Sequence, residues 1–223
     1  MRIDGIAIEK KNTHTHFTGI VVISKDILII LIGLMISSFG TSLFYAAEMG
    51  SSPMATFCDG VHSVLGISYG TAYILVNALL LVVLFFFNRK YINIGTVFCV
   101  VAIGPFVNLF TSLLAGLDVP GWNVALRILC TVAGTALMGI GLGLYVAVNR
   151  GFGALEGIVK ILCDRRGYAY SKAKIAQDLV LVAGGMALHA KWGVGTLVAI
   201  VLTGPMLERS LFFFSRMLKA TVS

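Results

Sequence analysis

The sequence predicts an all-α polytopic membrane bundle: six transmembrane helices in two inverted three-helix repeats, each with a short re-entrant or interfacial helix after its first span. Three observations carry that prediction. Of 223 residues, 58% are hydrophobic and 12% charged, with a mean hydropathy of +0.94; soluble domains carry about a quarter charged residues. So much apolar surface needs lipid as its solvent. The apolar residues fall into six runs, and the chain matches itself at an offset of 101 residues.

Residues 1–26 are polar and mixed and read as a cytoplasmic tail, with His14 and His16 as solvated side chains rather than metal ligands. No short apolar core with a small-residue cleavage site stands at the start, so no signal peptide is expected. The first span runs from Ile27 to Ala47, and the second from Tyr69 to Phe87, stopping at Arg89 and Lys90. The third lies within Tyr91 to Leu117, stopping at Asp118 and Pro120, and the fourth covers Val124 to Val148. The fifth, Ala173 to Ala190, is shorter and contains Asp178; the sixth runs from Trp192 to about Phe213 and carries Glu208 and Arg209 near its end. The stretches Ser51 to Gly66 and Phe152 to Gly167 are too short and polar to span, yet too apolar for free loops. Both are expected to be short helices.

Fifteen of the 17 Lys and Arg residues fall on one side if the N-terminus is cytoplasmic; Arg127 and Lys191 are the exceptions. That asymmetry puts both termini inside. It also accounts for the net charge of +7 without a nucleic-acid partner. Cys58, Cys99, Cys130 and Cys163 show no ligand spacing and read as small apolar residues.

The repeat is explicit. At offset 101, Gly33 meets Gly134, Gly40 meets Gly141, Gly50 meets Gly151, and Gly66 meets Gly167. After a one-residue slip between His189 and Trp192, Gly95 and Thr96 meet Gly195 and Thr196, while Gly104 and Pro105 meet Gly204 and Pro205. Residues 27–118 thus form one unit and 119–223 a second. Three crossings per unit make the second inverted, the arrangement common among secondary transporters. The loop from Glu48 to Ser68 has no Lys or Arg, whereas its copy, Asn149 to Lys174, has six, which agrees with inversion.

The segment Ala47 to Met54, followed by Gly66 to Thr71, resembles the YczE/YyaS/YitT group of bacterial membrane proteins, and the YczE-like branch most closely. Ala47, Glu48, Gly50, Pro53, Gly66, Ser68, Gly70 and Thr71 stand at the positions of the pattern A-E-x-G-x-x-P-W-D, then G-L-(S/T)-x-G-T. The usual Trp-Asp is replaced by Met54 and Ala55; in the second half an acid stands at Glu156, aligned with Ala55. The resemblance covers roughly residues 27–215. It implies a bacterial inner-membrane protein of about six helices, and no substrate or reaction.

Candidate site residues are the ionisable or amide groups in or beside apolar runs, because each is costly there. Asp178, whose repeat mate is Asn77, is either a substrate or proton site, or an interhelical hydrogen bond or partner of Lys174. Glu48 ends the first span, Glu156 begins the second short helix, and Glu208 follows the second Gly-Pro pair. These five are the expected substrate-lining set, and Glu156 read blandly is a helix-start acid. Asp59 and His62, three residues apart, form a candidate proton-linked pair or a solvated face. Gly50, Pro53, Gly104, Pro105, Gly151, Gly204 and Pro205 mark expected bends. No metal or cofactor signature and no nucleophile–base constellation is present, so no enzyme is expected. The expectation is a permease for a small solute with its site between the halves; the alternative is an accessory protein supporting a biosynthetic, export or signalling partner. The expected partners are the bilayer, the solute and, as one option, further copies of the chain.

Overall fold

The computed structural model describes residues 4–67, 69–190 and 192–220, with side chains at 24–67, 71–87, 89, 91–190 and 192–218. Among them are eight α-helices: α1 (Asp4–Ala46), α2 (Pro53–Leu65), α3 (Tyr69–Asn88), α4 (Ile94–Leu114), α5 (Val124–Ala147), α6 (Ala154–Arg166), α7 (Tyr170–Ala187) and α8 (Val194–Ala220). Two 3-10 turns, Arg89–Tyr91 and Val119–Gly121, precede α4 and α5. No strand occurs among the described residues.

Four helical stretches have the length and apolarity to cross a membrane: Ser24–Ala46, Ile94–Leu114, Val124–Ala147 and Val194–Leu218. Thr71–Phe87 in α3 is a shorter apolar helix. The protein is therefore a multi-pass membrane protein by its helices. The expected polar tail continues the first span's helix from Asp4. Residues 4–26 contain no proline, so nothing in the backbone chemistry stops it there. The side chains of His14 and His16 lie outside the described residues.

The short helices are bounded by local signals. Ser52 caps α2, its hydroxyl accepting from the Ala55 N–H, and Pro53 sits in the first turn, where its missing donor costs nothing. Gly66 ends α2 at φ 62° and Gly167 ends α6 at φ 67°. Each donates its N–H four residues back, to His62 and Cys163 respectively. Pro105 and Pro205 lie inside continuous helices α4 and α8.

Helices α1 and α5 meet backbone to backbone. A Cβ on Gly33 would stand 2.8 Å from the Gly141 carbonyl oxygen, and one on Gly40 would stand 2.6 Å from that of Gly134. Rising numbers on α1 oppose falling numbers on α5, so the two helices are antiparallel. Helix α4 packs on α1, and α8 on α5. The short helices reach the other way: α2 packs on α7 and α6 on α3. Polar bonds tie these layers. Ser42 donates to the Val107 carbonyl at 3.0 Å between α1 and α4, and Ser210 donates to the Ile140 carbonyl at 3.1 Å between α8 and α5. The apolar core centres on Ile30, Leu34, Leu84, Tyr145, Val159 and Leu207.

Candidate functional site

The loop after α1 is built around a non-glycine residue with positive φ. Glu48 has φ 48°, and its N–H donates to the Tyr45 carbonyl at 3.0 Å. After α5, Asn149 has φ 57°, and its N–H donates to the Val146 carbonyl at 3.1 Å. Gly50 and Gly151 follow at φ 146° and 107°, a region side chains rarely adopt. Each loop is then clasped by the start of a distant helix. Gly195 N–H donates to the Met49 carbonyl at 2.8 Å, and Gly95 N–H to that of Arg150 at 2.7 Å. Thr196 and Thr96 donate their hydroxyls to the Ser51 and Phe152 carbonyls, both at 2.8 Å.

At the Glu48 end this framework holds a cleft of about 650 Å³, lined by Tyr45, Glu48, Ser51, Ala55, Asp59 and Trp192 among others. Arg127 on α5 reaches the loop after α1. Its guanidinium donates to the Ala47 and Glu48 carbonyls at 2.9 and 3.0 Å, satisfying the end of α1 where a cation is favoured. At the Arg150 end the corresponding loop is filled. Phe152 replaces Ser51 in the repeat alignment, is buried, and packs its ring 5.7 Å from that of Tyr91. Tyr91 donates to Asp164 at 2.6 Å, and Asp164 also pairs with Lys160 at 2.7 Å. Burial and the Asp164 carboxylate push the Tyr91 phenol up to about 12.

Beneath that packed loop lies a buried polar cluster. Lys174 and Asp178, one turn apart on α7, pair at 2.6 Å with both side chains almost fully buried. Glu156 in the first turn of α6 is also buried, and its Oε2 lies against Gly153 beside Cys99 Sγ. Burial pushes the Glu156 carboxyl above its ordinary range, with Lys174 and its own backbone N–H opposing and Asp178 reinforcing. Gln177 donates to the Leu155 carbonyl at 3.0 Å, fastening α7 to α6. Asp178 Oδ2 and the Tyr170 hydroxyl are buried with no hydrogen-bond partner.

The expected site residues thus divide. Glu48 and Asp59 come to the cleft, while Glu156 and Asp178 come to the buried cluster. Asn77 bonds to its own helix, donating to the Tyr73 carbonyl at 2.9 Å. Glu208 accepts the Ser171 N–H at 3.2 Å, so it caps the start of α7, where Ala169 offers no side-chain cap. His62 Nδ1 bonds to the Ile67 carbonyl. Among the described residues, no group of three His, Cys, Asp or Glu side chains is arranged to hold a metal ion. Sequence reasoning missed Tyr145 and Tyr170 beside Glu156, and Arg127 as the cap of α1. Only the isolation of Arg127 on the side poor in Lys and Arg hinted at its role.

Residues 24–210 match the family of unknown function DUF6198. The chain belongs to that family. It is 27% identical over 180 residues to the uncharacterized membrane protein YczE of Bacillus subtilis (strain 168), covering 80% of this chain and 82% of that one. It is 22% identical over 193 residues to an uncharacterized protein of Haemophilus influenzae, covering 86% of each chain. It is 22% identical over 191 residues to the uncharacterized protein YyaS of Bacillus subtilis (strain 168), covering 79% of this chain and 88% of that one. No solved structure matches this DUF6198 chain. The matched span begins at Ser24 and takes in both loops and both short helices.

Proposed function

We propose that the protein is a secondary transporter of a small solute in the bacterial cytoplasmic membrane. In this reading it has six crossings in two inverted three-helix units, with both termini cytoplasmic. The reciprocal contact of α1 with α5 carries the reading. Gly33 against Gly141 becomes Gly134 against Gly40 when each residue is exchanged for its repeat mate, and both contacts are present. A two-fold axis across the helices gives that relation, and such an axis lies in the membrane plane. The matched φ values at Glu48 and Asn149, and the matched clasps by Thr196 and Thr96, support the same symmetry. One end has a cleft where its mate is packed by Phe152. A pair of exchangeable halves caught with one mouth open would have that asymmetry.

Thermal-shift screening of the purified protein against a metabolite panel tests the reading, followed by counterflow of each hit in proteoliposomes. A transporter yields a solute that both stabilises and exchanges, with both effects lost in Trp192→Ala. The accessory reading is favoured by the exposed basic end of α6, Arg165 and Arg166. It predicts a stoichiometric partner captured on that end, with no exchange.

A further inference from the structure

We infer that Glu156 is the binding site of an exchangeable proton, set in a buried cluster whose ammonium is already committed to Asp178. The role as coupling ion rests on the transporter reading; the proton site itself does not. Charge counting carries the inference. Helix α7 faces Glu156 with Lys174, Asp178 and Tyr170, α4 with Cys99, and α5 with Tyr145. Helix α3 presents Leu84 to the adjoining Gly157. Lys174 Nζ lies 2.6 Å from Asp178 Oδ1, and that pair is neutral. A second carboxylate in the same buried place has no second cation. The start of α6 favours its negative charge only modestly, whereas an unbalanced buried charge is much more costly. A proton on Glu156 removes the imbalance.

A metal cation is the poorer occupant. Hard cations gather about six oxygens, and an ammonium stands inside this cluster. Within the cluster, two of the buried atoms without partners among the described residues are Asp178 Oδ2 and the Tyr170 hydroxyl. They give the cluster bonding capacity that its present arrangement does not use. When Glu156 releases its proton to water, the O–H bond breaks and the carboxylate keeps the electron pair. The repeat mate of Glu156 is Ala55, so only one half carries the acid.

Infrared difference spectroscopy of the purified full chain in lipid, titrated with base, tests this. The expected result is a protonated-carboxyl band at neutral pH that disappears on raising pH, is absent in Glu156→Gln and remains in Glu208→Gln. Absence of the band at neutral pH, or its survival in Glu156→Gln with loss in Asp178→Asn, overturns the assignment. Should Glu156→Gln fail to fold, sodium chloride added to wild type at fixed pH decides. An unchanged band upholds a proton site, and erasure of the band by sodium overturns it. The band together with no counterflow of any metabolite leaves the proton site standing and removes the transporter. Counterflow that is independent of pH, without the band, does the reverse.

Discussion

Thr196 Oγ1 donates to the Ser51 carbonyl at 2.8 Å and accepts the Ser51 N–H at 3.2 Å, locking the start of α8 onto the loop after α1. Thr96 Oγ1 likewise donates to the Phe152 carbonyl at 2.8 Å and accepts the Asn93 N–H at 3.2 Å, locking the start of α4 onto the loop after α5. Both threonines are buried, so replacing either hydroxyl by a methyl leaves backbone groups unsatisfied. Thr196→Val and Thr96→Val should each lose about 1–3 kcal/mol. The loss should appear as a lower thermal midpoint in detergent, while Thr41→Val should shift it less, because the Thr41 hydroxyl bonds within its own helix, to the Ser37 carbonyl.

The glycine contact between α1 and α5 leaves no room for side chains. Gly40→Leu and Gly141→Leu should abolish the monodisperse peak in fluorescence-detected size exclusion. Gly104→Ala should retain it, since a Cβ there meets nothing within 4 Å. Equal tolerance at all three positions would contradict the close packing.

The Lys174–Asp178 pair predicts a non-additive result. Asp178→Asn leaves a buried ammonium short of its counter-charge and should cost about 3–5 kcal/mol. Adding Lys174→Gln should recover most of that loss, because the double variant removes both charges of the pair. Thermal midpoints of the two singles and the double decide it; a simple sum would contradict the coupling.

The Tyr91 phenol gives a pH dependence with a definite sign. In the unfolded chain tyrosine ionises near pH 10, about the ordinary value, and in the folded protein at about 12. The contribution is therefore fully present below the unfolded value and is lost as pH rises through the folded one. The wild-type thermal midpoint should fall across that window more steeply than that of Tyr91→Phe.

Much of the fold was legible because membrane helices are written locally. Each expected short helix proved to be one, with Pro53 marking the start of α2 and Gly66 and Gly167 the ends of α2 and α6. The site was legible in kind but not in grouping. Glu48, Asp59, Glu156 and Asp178 each announced themselves as acids in or beside apolar surroundings, yet only packing sorts them into a cleft and a buried cluster. Glu208 is expected among the lining residues; that it also caps α7 depends on a contact 37 residues away, which no local pattern announces. Tyr145 carried no local signal, because an aromatic in an apolar helix has the same pattern whether it meets lipid or an acid.

The proposed inversion puts the two corresponding short helices, α2 and α6, on opposite faces of the membrane, and cysteine labelling measures that most directly. In a background lacking the native cysteines, Ser63→Cys on α2 and Arg166→Cys on α6 would be treated with an impermeant maleimide on intact cells. Both native residues are exposed. Labelling of Ser63→Cys at once, and of Arg166→Cys only after permeabilisation, is the predicted result; labelling of both from the same side would contradict it.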